Sequence, residues 1–252
     1  MEKDLIQERY PVFKASEIQK ARIKTITIRE LNKPSGWQIF DQSRRFHYEY
    51  NRKGELIHYR KTYPGHGGRI DTLQFYFEYA NGALVQEIER TGRYQRKIRY
   101  DRLDAHKTAK LIETRRGNDD WEEVANEVIT EKSIDGGWVR YLSGPSSEPY
   151  QHEFYLEKES KQSREVWTGS RLQTIQEWKG LTNNEVSYRC EYNFKKDSVE
   201  MRLLGDEGEW CINGQCRDWS MVLHENGFPK GWIFMDTKTQ DAEIWEFVYQ
   251  YY

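Results

Sequence analysis

Apolar and polar side chains alternate with a period of two along much of this chain, and that alternation limits what it can fold into. From Leu73 to Tyr79, Leu73, Phe75, Phe77 and Tyr79 share one face while Gln74, Tyr76 and Glu78 share the other, the signature of a half-buried strand. The same reading holds for Phe46, Tyr48 and Tyr50, for Ile98 and Tyr100, for His152, Phe154 and Leu156, and from Val186 to Tyr192. Gly, Asn and Asp interrupt these runs at short intervals, which calls for hairpins between neighbours. On the order of a dozen strands follow, many for one open sheet that does not curl. The expected fold class is therefore all-β: an antiparallel meander of hairpins forming a strongly curved sheet, half-barrel or open barrel, with little helix.

Two segments stand outside the pattern. "ASEIQKA", near Ala15, reads as a short helix with Ser16 as its N-cap. "DDWEEVANEVI" could place Trp121, Val124 and Val128 on a helical stripe, but its β-branched residues and the "DGG" turn that follows favour a strand.

Composition limits the core. The chain is 37% hydrophobic and 32% charged over 252 residues, too few core-forming side chains for a thick closed interior. Aromatics make up 14%, with 17 Tyr and 9 Trp, residues that bury a ring and keep a polar tip wet. One domain over 1–252 is expected, with a soft division near 143–149. The 39 basic and 41 acidic residues are interspersed, so no field gathers to hold a phosphate backbone, and nucleic acid is not an expected partner. No apolar run reaches the length of a membrane span, and the opening "MEKDLIQERYPVFK" lacks the apolar centre of a signal peptide. The protein is either cytosolic or has lost a signal before this numbering begins.

Two of the three cysteines frame a turn, in "EWCINGQCRDW". A two-residue turn at Asn213 and Gly214 makes Ile212 and Gln215 the first pair, so Cys211 faces Cys216. In an antiparallel ladder the Cα atoms of such a non-hydrogen-bonded pair lie about 4.5 Å apart, within disulfide range. A cross-strand disulfide and two facing thiols both satisfy this geometry. An extracytoplasmic location is favoured on the first reading. Cys190, in "VSYRCEY", reads as a core thiol.

Candidate chemistry is sparse. "FHYEYNRKGELIHY" carries His47 and His58 on either side of a turn, with Glu49 between them. A type I turn with Gly54 in a left-handed bulge pairs Asn51 with Glu55 and Tyr50 with Leu56. His47 then opposes Tyr59 and His58 opposes Tyr48, on opposite faces, and no metal site forms. His66, His106, His152 and His224 are scattered, and no nucleophile elbow or phosphate loop occurs; the glycines of "PGHGGR" suit a hairpin loop. No catalytic residue, cofactor or metal is expected.

The turn segment also repeats. Aligning "FHYEYNRKGEL" with "FYFEYANGAL" matches Phe46 to Phe75, Tyr48 to Phe77, Tyr50 to Tyr79, Gly54 to Gly82 and Leu56 to Leu84. Degraded echoes follow at "KIRYDRLDA" and "VSYRCEYNFKKDSVEM". With these residues the chain resembles the YD-repeat, or Rhs-like, family, in which a Tyr-Asp or Tyr-Asn strand end, a Gly and a following Leu recur along antiparallel strands. The resemblance covers two good copies. It implies a repetitive, often extracellular β sheet used as a shell or binding surface, and no catalytic residue.

Near the C-terminus Trp219, Trp232 and Trp245 recur at equal spacing, with turns expected midway at "HENGFPKG" and "DTKTQD". Symmetric hairpins would set the three rings side by side, as sheet packing or as a platform for sugars or peptide side chains. The expected function is a non-catalytic binding or surface-interaction module contacting a carbohydrate or protein, with this ladder as its contact surface. Alternatives are a lipocalin-like carrier of a small apolar ligand, favoured if the first and last strands hydrogen-bond, an immunity-type inhibitor, and a hydrolase built on a carboxylate pair.

Overall fold

The computed structural model describes the backbone of residues 15–145, 148–158, 161–168, 171–179, 185–192, 197–204, 207–212, 215–224 and 228–252. Side chains are described for 15–154 (146 and 147 apart), for 228–252 and for positions 156, 218, 220, 222 and 224. A short helix, α1 (Ala15–Lys20), precedes eighteen strands. They are β1 (Ile23–Lys33), β2 (Phe40–Tyr50), β3 (Leu56–Pro64), β4 (Ile70–Ala80), β5 (Ala83–Thr91) and β6 (Tyr94–Arg102). Next come β7 (Lys107–Arg116), β8 (Glu122–Ile134), β9 (Gly137–Ser143), β10 (Gln151–Lys158), β11 (Lys161–Thr168) and β12 (Arg171–Lys179). The last six are β13 (Glu185–Tyr192), β14 (Asp197–Leu204), β15 (Glu207–Ile212), β16 (Gln215–Leu223), β17 (Pro229–Asp236) and β18 (Ala242–Tyr251).

The all-β antiparallel class expected from periodicity is what the chain adopts, with eighteen strands in place of about a dozen. The "DDWEEVANEVI" segment is part of strand β8, and "ASEIQKA" forms α1. Twelve strands, in the order β17, β18, then β1 to β10, are paired side by side in one sheet. Backbone pairing continues through β11 to β16, from β10 at one edge to β17 at the other. Each strand is antiparallel to the next, and β18 returns to pair with β1 from Ile23↔Tyr251 to Lys33↔Ala242.

Cross-strand register separates two faces. Along the buried face, directly opposed positions run Tyr249, Ile26, Tyr48, Tyr59, Phe75, Glu89, Arg96 and Thr114. The first five are apolar or aromatic, and rings meet in sequence, Tyr48 on Tyr59 at 4.9 Å and Tyr59 on Phe75 at 5.8 Å between centroids. Phe46, Ile28, Phe247, Trp245, Trp232 and Phe234 complete this aromatic core, and Ile18 of α1 is buried against it. A second, smaller cluster, Ile98, Tyr100, Ile112 and Ile129, lies further along the same face. Between and beyond the clusters the face is charged but paired across strands. Lys110 bonds Glu127 at 2.9 Å, Arg96 meets Glu89 at 3.9 Å, and Arg140 bridges Glu131 and Glu153. Hydrophobic periodicity is blind to strands stabilised in this way, which is why the count from sequence is low.

The two repeat copies share one backbone device. Tyr50 pairs with Leu56 and Tyr79 with Leu84, as the turn chemistry requires. Asn51 N–H donates to the Glu55 carbonyl at 2.9 Å, and Gly54 has φ +80°. Asn81 and Gly82 both take positive φ, 52° and 77°, the type I′ turn that an Asn-Gly pair favours. Immediately after each leucine one residue is left over: the ladder passes from Tyr50↔Leu56 to Glu49↔His58, and from Tyr79↔Leu84 to Glu78↔Gln86. Ile57 and Val85 are thus bulge residues, which kink and twist the strand locally. The echo at "KIRYDRLDA" lacks the pair, since Tyr100 faces Lys110.

Gly54 has a second task. A Cβ there would strike the Ala15 carbonyl and lie 3.1 Å from the Gln19 nitrogen, so the missing side chain is what lets α1 dock on the β2–β3 turn. Gly82 has the same backbone sign but open space, its nearest neighbour being Glu55 Oε1 at 3.9 Å. Gly82→Ala should therefore cost only the left-handed penalty of about 1–2 kcal/mol. Gly54→Ala should cost clearly more in denaturant titration and free α1 from the sheet. Equal losses would show that α1 contributes nothing through this contact.

Candidate functional site

Three places on the described surface bring polar groups together. The first is the hairpin with its two histidines. The structure corrects the expected register: His47 faces Arg60, and His58 faces Glu49, so both histidines lie on the same outward face. The cause is the bulge at Ile57, a second extra residue that the Gly54 turn does not reveal. His47 Nδ1 lies 2.9 Å from the Thr27 hydroxyl, and His58 stacks on Tyr76 at 4.6 Å with Glu49 3.7 Å away. Burial, then Arg60, pushes the His47 pKa down. Among the described residues no group of three or more His, Cys, Asp or Glu could hold a metal.

The second is a carboxyl pair within the buried face. Glu30 of β1 is 5% exposed and sits directly opposite Trp245 and Arg44. Its Oε1 accepts from Arg44 at 3.2 Å, and its Oε2 is buried without a partner. Glu243, two residues before Trp245, accepts the Trp245 indole N–H at 2.9 Å. Burial first, and the Glu243 carboxylate second, raise the Glu30 pKa above its ordinary 4.5.

The third is a cavity of about 360 Å³ at one end of the sheet, lined by Ile18, Gln19, Arg22, Ile23, Asn51, Arg52 and Tyr252. Three distant parts of the chain build it. Helix α1 ends in hydrogen bonds from Ala21 N–H to Glu17 O and from Arg22 N–H to Gln19 O. Arg22 then takes φ +54°, turning the chain into β1. The C-terminus is tied there twice, by Tyr252 N–H to the Arg22 carbonyl at 2.9 Å and by the Tyr252 hydroxyl to the Tyr50 carbonyl. The β2–β3 turn is held by Asn51, whose Oδ1 accepts from Lys53 and Glu55 N–H at 2.9 and 3.1 Å. Its Nδ2 donates to Glu55 at 2.7 Å. Arg52 lies over the Tyr252 ring at 5.6 Å. The floor, Ile18 and Ile23, is apolar and buried; the rim is polar. Such a composition and volume fit a small ligand. No sequence signal pointed here, because the lining comes from residues 18–23, 51–52 and 252, which only the β1–β18 and β1–β2 ladders bring together.

The expected tryptophan surface is placed as follows. Trp232 and Trp245 are directly opposed on β17 and β18, their rings edge-on at 5.4 Å, and are 4% and 1% exposed. Trp219 of β16 pairs with Phe234, two residues along the same face from Trp232, and its side chain lies outside the described residues. Cys211 and Cys216 are directly opposed in the backbone ladder, with Ile212 facing Gln215. Their side chains also lie outside the described residues. Among the described residues no helix is long and apolar enough to cross a membrane.

The fold and the cavity together define a class: an antiparallel β-sheet protein, curled about an aromatic core, with a small cavity at one end. No family model matches the chain, and no curated protein does. Among solved structures, a porin-like protein from Bacteroides uniformis is similar to it at 10% identity, over 91% of this chain and 97% of that one, with a TM-score of 0.47.

The carboxyl pair sets a pH dependence. A raised folded pKa means that the unfolded chain loses the proton first. The stability linked to Glu30 is thus complete below 4.5 and lost as pH rises through the raised value. Asp41, held down at about 2 by Arg45, changes charge outside this window. Between pH 4 and 7 the unfolding free energy of the wild type should fall more than that of Glu30→Gln, which keeps a neutral hydrogen-bonding group. Parallel pH profiles would remove Glu30 as the source.

Proposed function

We propose that this chain is a non-catalytic binding module that takes a small ligand with an apolar body in the cavity between α1, the β2–β3 turn and Tyr252. The observation that carries this reading is the cavity itself: about 360 Å³, with an apolar floor formed by Ile18 and Ile23 and a rim fixed by backbone hydrogen bonds. The β1–β18 ladder supports it, since pairing of the first and last strands is the feature that favours a carrier over an open surface module.

The outward face supports work in water. Its directly opposed positions run Thr27, His47, Arg60, Gln74, Arg90, Gln95 and Arg115. A lipid-facing band would be apolar there, and each Arg near a bilayer midplane would cost about 2–4 kcal/mol. The carbohydrate and protein partners expected for the tryptophan ladder gain no support from Trp232 and Trp245, which spend their faces on core packing.

N-phenyl-1-naphthylamine, neutral and fluorescent in apolar surroundings, tests the reading. Wild-type protein should bind it saturably at one site, and Gln19→Trp, which places an indole at the cavity rim, should weaken binding at least tenfold, about 1.4 kcal/mol, with little change in thermal stability. Unsaturable binding, or full affinity in Gln19→Trp, would contradict it.

A further inference from the structure

Resting on that cavity reading, we infer that its ligand is an anionic amphiphile whose carboxylate or phosphate head is held by Arg22 and Arg52. The charge at the site is one-sided. Arg22 and Arg52 line the cavity, no acidic side chain does, and neither guanidinium has an acidic side chain as ion-pair partner among the described residues. Two guanidinium groups at one cavity, with no Asp or Glu in its lining, leave a place where an anion completes the pairing. Glu49, the carboxylate that acts on Tyr252, is engaged with His58.

Both arginines are held where a bound head would need them. Arg52 rides on a turn fixed by three hydrogen bonds of the Asn51 side chain, with its guanidinium over the Tyr252 ring. Arg22 occupies the left-handed position just past a helix end, where glycine is the ordinary residue. An L side chain is strained there, and the fold retains it at the cavity edge. A guanidinium presents a planar fork that matches carboxylate and phosphate oxygens. Beneath the arginines, Ile18, Ile23 and the Tyr252 ring offer an apolar wall for the body of the ligand. Charged head and apolar tail therefore meet different parts of one site.

Four probes with one eight-carbon tail separate head from body: octanoate, octyl phosphate, octanol and octylammonium, titrated calorimetrically into wild-type protein and into the Arg22→Gln, Arg52→Gln double variant. At least one anion should bind tenfold or more tighter than octanol and lose that advantage in raised salt, while octylammonium should bind more weakly than octanol. The double variant should lower anion affinity to the octanol level and leave octanol unchanged. Which anion binds tighter tells carboxylate from phosphate. Octanol binding as tightly as both anions would overturn the anion assignment and leave the apolar cavity intact. Absence of binding by octanol and both anions would overturn the cavity reading, and this inference with it.

Discussion

Strand β1 is paired along both of its edges, and the rest of the fold follows from that. On one side it meets β2, the next strand in sequence; on the other it meets β18, with Thr27 opposite Val248 and Ile28 opposite Phe247. The double pairing brings the end of the chain back to its beginning. It faces Ile26 and Ile28 towards Phe46 and Tyr48 from one neighbour and Phe247 and Tyr249 from the other, so that the strands flanking β1 contribute to one aromatic core. It also hides what would otherwise be two adhesive edges. Tyr252 reaches Arg22 and Tyr50 only because β18 lies beside β1, and the cavity exists because of that return.

A chain with so few aliphatic residues solves the core problem unevenly. Around β17 to β4 the buried face is aromatic, and a ring such as Trp245 can contribute roughly 4–6 kcal/mol on burial, taking 150–250 Å² at about 25 cal/mol/Å² as an upper bound. From β5 to β10 the same face combines a smaller apolar cluster with ion pairs whose attraction must first offset desolvation. Glu30 of β1 sits inside the aromatic half: its charge is placed among aromatic rings, balanced by one partly exposed arginine, and its pKa rises accordingly. Apolar packing dominates the first stretch, and electrostatic complementarity joins a smaller apolar cluster in the second.

What could be read from the sequence followed locality. The strands with alternating aromatics, the Tyr50–Leu56 and Tyr79–Leu84 pairs and the backbone register of Cys211 against Cys216 all depend on residues within one hairpin. The bulges at Ile57 and Val85 were not legible, because nothing in a β-branched residue after leucine distinguishes a paired from an unpaired position, and that one residue moved His58 to the face of His47. Strands such as β5, whose core-facing positions include Glu87 and Glu89, have no apolar stripe to announce them. The cavity lies furthest from sequence reading, since Arg22, Arg52 and Tyr252 become neighbours only through pairings that span the chain.

Native-state hydrogen exchange on β1 and β18 tests the central claim most directly. If β18 closes against β1, the β1 amides directed at β18 should be protected as strongly as those directed at β2, and the β18 amides from Ile244 to Tyr249 should exchange only with global unfolding. Fast exchange of the β18-facing set, with the β2-facing set protected, would show that β1 is an open edge and would remove the cavity built on that return.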